Sequence, residues 1–184
     1  MVKVATFGGG CSWCIEEAFS RVEGVLEAVP GYAGGEVENP TYEEVCTGKT
    51  GHVEAVQVKY DPEKVSYRDL LITFLTSIDP TDPGGQFADR GSQYRPVIFY
   101  HDEEQKELAE KALKILEESG LFSEPIAVSI EPFKNFYPAE EYHRRYFEKN
   151  PMHYFYYKEG SGRKKYCEIV WDKKGGRRIL EENL

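Results

Sequence analysis

Near the start of the chain, a short apolar run passes through a glycine turn straight into an amphipathic helix. The run is Val2 to Phe7, and the turn and helix start are Gly8-Gly9-Gly10-Cys11-Ser12-Trp13-Cys14. The apolar residues that follow have the i, i+3, i+4, i+7 spacing of a buried helical stripe: Ile15, Ala18, Phe19 and Val22. The sequence therefore predicts a buried strand that leads directly into a helix.

Two thiols stand three residues apart at this predicted helix start. Cys11 lies close to the helix N-terminus, where free N–H groups and the helix dipole favour a thiolate, so we expect a lowered pKa and a nucleophilic sulfur. Cys14 lies within disulfide reach, because adjacent helical turns bring Cα atoms to about 5–6 Å. The pair predicts redox chemistry.

The same segment has two alternative interpretations. Three glycines before a helix can hold a phosphate, but the run lacks the Lys-Ser/Thr of a P-loop and the spacing of a dinucleotide-binding motif. A Cys-x-x-Cys pair can be half of a zinc site, but zinc needs about four ligands. The other candidate ligands are scattered along the chain: Cys46, Cys167, His52, His101, His143 and His153. We therefore expect no metal, and we expect Cys46 to be a small buried side chain.

Length and charge limit the domain count and the partners. A chain of 184 residues suits one domain, and we expect a catalytic core at 2–151 with a C-terminal tail at 152–184. The net charge of −9 argues against nucleic acid or an anionic membrane as the main partner. There is no signal-peptide core and no run of about 20 apolar residues. We expect a soluble, cytoplasmic protein whose cysteines are catalytic rather than structural.

Strands and helices alternate along the rest of the chain. We predict strands at 2–7, 25–32, 52–60, 95–100 and 126–130. We predict helices at 13–22, after the N-cap residue Ser66, at 103–119 after Asp102, and at 139–147. This order begins as a ferredoxin-like unit, so we expect an α+β two-layer sandwich with a mixed, largely antiparallel sheet. The tail has no clear period and is expected to be coil-rich.

One carboxyl group stands within a predicted strand. Alternation along the strand puts Glu54 on the same face as Val56 and Val58. On an apolar face its pKa should be raised, and a proton still held near neutral pH can be donated. The alternative, which the pattern alone slightly favours, is that Glu54 sits at the exposed end of the strand with a solvated charge. The polar loop Asp89 to Pro96, which enters a strand, is a second candidate site segment.

Six segments together resemble the A-type peptide methionine sulfoxide reductases. They are, in chain order, Gly10-Cys11-x-Trp13, Gly31-Tyr32-x-Gly34-Gly35, Asn39-Pro40-Thr41-Tyr42-x-x-Val45-Cys46-x-Gly48, Gly51-His52-x-Glu54-Ala55-Val56, Asp89-x-Gly91-x-Gln93-Tyr94-Arg95, and the stretch from Tyr142-His143 to Asn150-Pro151. The resemblance covers Val4 to Pro151. It implies reduction of methionine S-sulfoxide, in proteins and free, to methionine, without a cofactor.

The resemblance also implies roles for individual residues. They are Cys11 as nucleophile, Glu54 as acid, Tyr42 and Tyr94 as donors to the sulfoxide oxygen, Asp89 as a polar residue of the site, and Trp13 as a wall of the methyl pocket. The nucleophile would become a sulfenic acid, which a nearby thiol condenses to a disulfide. Thioredoxin or a similar dithiol would then reduce that disulfide by exchange.

The chain departs from the family pattern in three places. Ser12 stands where the family usually has Phe, so we expect the pocket to be more polar or filled from elsewhere. Cys14 stands where many members have Gly, and the tail lacks the usual Gly-Tyr-Cys arrangement, leaving Cys167 as its only thiol. We expect Cys14 to resolve the sulfenic acid because it is one turn from Cys11, with Cys167 as a second relay thiol or a bystander. The alternative is that Cys14 only packs within the helix.

Two other functional classes stay open. A thioredoxin-like thiol-disulfide oxidoreductase also has Cys-x-x-Cys at a helix start, but it leaves Glu54, Tyr42 and Tyr94 without a role. A zinc-binding interaction module is the non-enzymatic alternative, and the metal content of the purified protein would separate it from both enzymes.

Overall fold

Short strands and helices follow one another along the whole chain. The computed structural model describes residues 1–184. The strands are β1 (Lys3–Gly8), β2 (Val25–Ala33), β3 (Val53–Tyr60), β4 (Gly85–Gln86), β5 (Asp89–Arg90), β6 (Val97–Tyr100), β7 (Ser129–Pro132) and β8 (Phe136–Pro138). The α-helices are α1 (Ser12–Ser20), α2 (Tyr42–Cys46), α3 (Tyr67–Leu75), α4 (Glu103–Glu118), α5 (Tyr146–Lys149), α6 (Pro151–Ser161), α7 (Arg163–Cys167) and α8 (Gly176–Asn183). Two 3-10 turns, Ser92–Tyr94 and Glu141–His143, and a π-helical stretch, Glu168–Lys173, complete the secondary structure.

Six strands form one mixed sheet in the order β7-β6-β1-β3-β2-β8. β1 pairs antiparallel with β3 and β6, and β2 pairs antiparallel with β3 and β8. Only the edge strand β7 is parallel to its neighbour, β6. β4 and β5 form a separate antiparallel pair. The predicted α+β class with a mixed, largely antiparallel sheet is therefore confirmed.

The main hydrophobic core lies between β1 and β3 on one side and helices α1, α3, α4 and α8 on the other. Phe7 occupies its centre, with its ring centroid 5.3 Å from that of Phe19 and 4.8 Å from that of Phe74. Trp171, from the C-terminal segment, is 1 % exposed in the same core and donates an Nε1–H hydrogen bond to the Ile78 carbonyl at 3.0 Å. The C-terminal segment is therefore part of the core.

Side-chain caps fix the starts of the two helices whose N-caps were predicted. The Ser66 hydroxyl accepts the N–H of Asp69 at the start of α3, and the Asp69 carboxylate accepts the N–H of Ser66 in return. The Asp102 carboxylate accepts the N–H of Gln105 at the start of α4. These bonds satisfy N–H groups that have no partner within the helix.

The C-terminal segment is largely helical, so the prediction of a coil-rich tail is wrong. Helices α6, α7 and α8 and the π-helical stretch cover most of residues 151–183. Gly162 and Gly175, with φ of 91° and 82°, mark the boundaries between them. The aromatic and basic residues of α6 lie on several faces of that helix and give no single apolar stripe, which is why periodicity did not predict it.

The helix predicted at 139–147 is also wrong in detail. The 3-10 turn Glu141–His143 and the short helix α5 stand there instead, separated at Arg145, whose φ of 51° interrupts any continuous helix. Helix α2, strand β8 and the β4–β5 pair were not predicted. No helix of the chain combines the length and the apolar character that crossing a membrane requires.

Candidate active site

The turn from β1 into α1 places Cys11 at the N-cap of α1, where it is 7 % exposed. Gly10 has a φ of 86°, a conformation that side chains with a Cβ rarely adopt. A Cβ on Gly10 would also lie 2.5 Å from the Cβ of Gln86. Glycine is therefore required at the point where the strand becomes the helix, and this turn fixes the position of the Cys11 sulfur.

Cys11 faces a cavity of about 200 Å³. All six residues that the resemblance placed in the substrate site line it: Cys11, Trp13, Tyr42, Glu54, Asp89 and Tyr94. Three further residues line the same cavity and were not predicted: His143, His153 and Tyr157. Side chains from distant parts of the chain thus meet around one thiol. We call this the substrate-side cavity.

Glu54 is buried beside the helix start that carries Cys11. Its side chain is on β3 and the residue is 6 % exposed, so the alternative of a solvated charge is wrong. The backbone N–H and the hydroxyl of Ser12 lie 3.4 Å from its Oε1. Burial raises the pKa of Glu54 to about 7 and the charge of Asp89 adds to the rise, while Ser12 and Tyr94 oppose it. A carboxyl group of this pKa can hold and release a proton near neutral pH.

Tyr42 and Tyr94 supply phenol groups to the cavity. Burial and the charge of Glu54 raise the pKa of both, so both keep their protons near neutral pH. Glu140 fixes the start of α2, because one of its carboxylate oxygens accepts the Tyr42 backbone N–H at 3.0 Å and the other accepts the Tyr32 hydroxyl at 2.8 Å. Glu140 was missed in the sequence, although it stands just before one of the quoted motifs.

Aromatic side chains enclose the cavity around Trp13. The Trp13 ring stacks on that of Tyr146 at 3.8 Å, and its Nε1–H donates to Nδ1 of His143 at 3.3 Å. His153 and Tyr157, both on α6, meet the Trp13 ring edge-on at 6.1 and 5.6 Å. Ser12 does not line this cavity. The i, i+4 spacing of His153 and Tyr157 would have indicated a shared face had α6 been predicted.

Asp89 also receives a contact from the C-terminal segment. The Tyr157 hydroxyl donates a hydrogen bond to Asp89 Oδ2. Because Asp89 is on β5 and Tyr157 is on α6, this bond joins two distant segments that both line the cavity.

Cys11 and Cys14 form an interacting pair whose pKa values shift in opposite directions. Burial, Cys14 and the charges of Glu54 and Asp89 raise the pKa of Cys11 well above the ordinary thiol value. The lowered pKa predicted for Cys11 is therefore wrong, because burial near two carboxyl groups outweighs the helix N-terminus. The pKa of Cys14 falls to about 6, mainly because Cys11 donates a hydrogen bond to it, and Arg163 contributes against the effect of burial.

Cys14 faces a second cavity, of about 240 Å³, which Cys167 also lines. Neither residue lines the substrate-side cavity. We call this second space the thiol cavity. Burial raises the pKa of Cys167 to about 11, and Arg163 opposes that rise. Helices of the C-terminal segment therefore bring the last thiol to the same cavity as Cys14, which the sequence did not predict.

Cys46 and His52 lie outside both cavities. Cys46, at the end of α2, is exposed, so the prediction of a buried side chain is wrong. Nδ1 of His52 accepts the Gly35 N–H at 3.0 Å, and its Nε2–H donates to the Val37 carbonyl at 2.7 Å. His52 thus holds the loop after β2. No three His, Cys, Asp or Glu side chains are grouped so that they could hold a metal ion.

Comparison with known proteins gives the family. The family model described as "Peptide methionine sulfoxide reductase" matches residues 3–175, and the chain belongs to this family. A Staphylococcus aureus protein named peptide methionine sulfoxide reductase MsrA 2 is 54 % identical over 169 residues, covering 92 % of this chain and 96 % of the relative. The similarity therefore extends beyond the motifs into the C-terminal segment.

Solved structures share the fold. Reduced Mxr1 from Saccharomyces cerevisiae matches with a TM-score of 0.74 and 36 % identity, covering 82 % of this chain and 86 % of that chain. The same yeast protein in complex with Trx2 matches with a TM-score of 0.52 and 29 % identity, covering 79 % of this chain and 84 % of that one.

Proposed function

We propose that this protein reduces methionine S-sulfoxide, in proteins and as the free amino acid, to methionine. One observation carries the proposal: the Cys11 thiol, a carboxyl group of pKa about 7 and two protonated phenols line a single cavity. A sulfoxide sulfur becomes electrophilic when its oxygen is protonated or strongly hydrogen-bonded. Glu54, Tyr42 and Tyr94 supply those donors. Membership of the family and the name of the Staphylococcus aureus relative support the same activity.

The first step forms a sulfenic acid on Cys11. Tyr42 and Tyr94 donate hydrogen bonds to the sulfoxide oxygen, and the Glu54 carboxyl gives that oxygen its proton. The Cys11 sulfur attacks the substrate sulfur, and the carboxylate left on Glu54 takes the thiol proton. The hydroxyl group then passes from the substrate sulfur to the Cys11 sulfur. A Cys11 S–O bond forms while the substrate S–O bond and the transient bond between the two sulfurs break, and methionine leaves. Sulfoxide and thiol thus give thioether and sulfenic acid, and the Glu54 carboxyl group is protonated again at the end of the step.

The second step removes the sulfenic acid. The Cys14 thiolate attacks the Cys11 sulfur, an S–S bond forms, and the hydroxide takes up a proton and departs as water. Cys167, which lines the same cavity as Cys14, then attacks the Cys14 sulfur and releases the Cys11 thiol. Thioredoxin or a similar dithiol reduces the remaining disulfide. The complex of yeast Mxr1 with Trx2 supports this kind of partner. No step needs a metal or an organic cofactor.

The finer architecture belongs to the same proposal. The central strand order β6-β1-β3-β2, with α1 and α3 against one face, supports a ferredoxin-like two-layer sandwich. Residues 1–184 form a single catalytic domain, with the core at 2–151 and the C-terminal segment packed into it. The net charge of −9 supports the absence of nucleic-acid and membrane partners. A cytoplasmic location follows from the need for a reducing compartment that supplies dithiols.

The assay that tests the activity is turnover of each methionine sulfoxide epimer with dithiothreitol as reductant. We expect reduction of the S epimer and none of the R epimer. Equal turnover of both, or of the R epimer alone, contradicts the proposal. The thiol-disulfide oxidoreductase alternative predicts instead that a protein disulfide is reduced faster than either sulfoxide, and it assigns nothing to Glu54, Tyr42 and Tyr94.

A further inference from the structure

Arg163, the first residue of α7, is a fully buried charge without a carboxylate partner. It is 3 % exposed. Its Nη1 donates to the Ser77 carbonyl at 2.7 Å and its Nη2 to the Gly9 carbonyl at 3.1 Å. Two carbonyl oxygens satisfy hydrogen-bond donors but do not neutralise a charge, and an uncompensated buried charge is strongly destabilising. The guanidinium therefore needs an anion from another source.

The other cations of the thiol cavity already have carboxylate partners. Lys158 lies 2.8 Å and Arg21 lies 3.5 Å from Glu17, and Lys164 lies 2.7 Å from Glu159. Arg163 is thus the one cation of that cavity that has no carboxylate as counterion.

No carboxylate is paired with Arg163, and two thiols share its cavity. It lines the thiol cavity together with Cys14 and Cys167. A Cβ on Gly10 would meet Nη2 of Arg163 at 2.7 Å, so the guanidinium packs directly against the turn that precedes Cys11. Its central carbon lies 4.8 Å from the ring centroid of Phe87, which holds the group in place.

We propose that Arg163 is a positioning residue and the counterion of the Cys14 thiolate, so that the resolving sulfur is already an anion before Cys11 is oxidised. The part that Cys14 plays in turnover rests on the proposed function, whereas its charge state does not. When Cys11 carries a sulfenic hydroxyl, the Cys14 anion forms the S–S bond and the hydroxide leaves as water after taking up a proton. Arg163 adds to the difference between the two thiols, because its charge favours the Cys14 anion while the charges of Glu54 and Asp89 disfavour the Cys11 anion.

Several other ionisable groups face Cys14 and bear on its titration. The Cys11 thiol, the Tyr154 hydroxyl and Lys158 each lower the pKa of Cys14. The Tyr154 hydroxyl is buried and has no other hydrogen-bond partner. The acidic side chains and the second thiol of the cavity are Glu17, Glu168, Asp172 and Cys167.

The test is a pH titration of thiolate absorbance in the ultraviolet, with the Cys14 step obtained as the difference between wild type and Cys14→Ser. We expect a midpoint of about 6 in the wild type and a move toward the ordinary thiol value near 9.0 in Arg163→Gln. Arg163→Lys, which restores the charge but not both carbonyl bonds, should return most of the shift. Arg178→Gln, at an exposed arginine of α8, should leave the midpoint unchanged.

Two outcomes of this titration overturn the proposal. One is an unchanged midpoint in Arg163→Gln. The other is Arg163→Lys behaving like Arg163→Gln, because a role limited to holding the two carbonyls predicts that result.

A second measurement does not depend on the folding of an Arg163 variant. The melting temperatures of wild type and Cys14→Ser are compared between about pH 6 and 9. The folded pKa of Cys14 lies below its unfolded value, so the unfolded chain binds more protons in this range. The stability that the thiolate contributes is complete above the unfolded pKa and is lost as the pH falls through about 6.

The wild type should therefore gain stability over Cys14→Ser as the pH rises, and parallel pH dependences overturn the proposal. Neither the thiolate titration nor the comparison of melting temperatures measures sulfoxide turnover. If the proposed activity is wrong, the epimer assay does not show selective reduction of the S epimer, while both of these measurements keep their expected outcome.

Discussion

The substrate-side cavity and the thiol cavity begin from the same helix, α1, but they control their thiols in opposite ways. The substrate-side cavity places Glu54 and Asp89 near Cys11 and keeps that sulfur protonated. Cys14, in the thiol cavity, has its pKa lowered mainly by Cys11, and Arg163 and Lys158 also favour the anion. A spacing of three residues along one helix is therefore enough to give two thiols different pKa values, since burial, the interaction between the two thiols and the surrounding charges together decide ionisation.

The two cavities also differ in how the chain builds them. Most of the substrate-side cavity comes from the segments whose motifs resemble the family, and α6 adds His153 and Tyr157. The thiol cavity comes from α1, the end of α3 and the C-terminal helices. In the proposed mechanism, attack on the sulfoxide thus depends mainly on the motif-bearing core, and recovery of the thiol uses α1 together with the C-terminal segment.

Removing the nucleophile should have the largest effect. Cys11→Ser is expected to abolish sulfoxide reduction, because a hydroxyl is neither a thiolate nor able to form a sulfenic acid. Cys46→Ser is the matched control and should keep the activity, since Cys46 is exposed and lines neither cavity. Methionine formation with dithiothreitol is the measurement, and appreciable turnover by Cys11→Ser would contradict the account.

Removing the acid should be the next largest effect. Glu54→Gln keeps the shape and loses the proton, so we expect kcat to fall by about 10²- to 10⁴-fold with the fold intact. The wild-type rate should decline as the pH rises through about 7, because only the protonated carboxyl can act as the acid. The variant should lack that decline. A near wild-type rate between about pH 6 and 9 would show that Glu54 is not the proton donor.

A third change tests whether the C-terminal segment belongs to the core. Trp171→Ala removes a ring that is 1 % exposed and its bond to the Ile78 carbonyl, so we expect a loss of about 3–5 kcal/mol in the free energy of unfolding. Tyr156→Ala, at a side chain 65 % exposed on α6, should change stability by less than about 0.5 kcal/mol. Urea unfolding measures both, and equal stabilities would mean that the segment is not packed as described.

The smallest effect concerns the one hydrogen bond that ties α6 to Asp89. Tyr157→Phe removes the hydroxyl that donates to Asp89 Oδ2 and keeps the ring, so we expect kcat/KM to fall by about tenfold. Tyr156→Phe, on the exposed side of α6, is the control and should be unchanged. If the two variants behave alike, the C-terminal segment only covers the substrate-side cavity and does not act on it.

The motif-bearing core was largely predictable because short-range features determine it. Ser66 and Asp102 cap their helices through side-chain bonds within three residues, and such bonds are visible in a sequence. Strand alternation correctly placed Glu54 on the same face as Val56 and Val58, but only the packed structure shows that Glu54 itself is buried.

The C-terminal segment could not be predicted because its helices serve two cavities at once. On α6, His153 and Tyr157 face the substrate-side cavity while Tyr154 and Lys158 act on Cys14. No single apolar stripe results, and the buried charge of Arg163 has no pattern in the sequence at all.

The prediction of a lowered pKa for Cys11 was wrong because the effect of the helix N-terminus is smaller than the effects of burial and neighbouring charges. A helix N-terminus contributes about 0.3–1 kcal/mol at an exposed site and at most about 2 kcal/mol when partly buried. Burial and neighbouring charges can shift a pKa by up to about 3–5 units, or roughly 4–7 kcal/mol. The sequence shows the helix start but not the carboxyl groups that packing brings beside it.

Mapping the disulfides by peptide mass spectrometry shows whether Cys11 reduces the sulfoxide and Cys14 resolves the sulfenic acid. Reductant-free enzyme is mixed with excess methionine S-sulfoxide, and the methionine released per chain is counted at the same time. We expect a Cys11–Cys14 bridge that passes to Cys14–Cys167, with two methionines per chain in the wild type and one in Cys167→Ser. A dominant Cys11–Cys167 bridge, with Cys14→Ser still supporting thioredoxin-driven turnover, would contradict it.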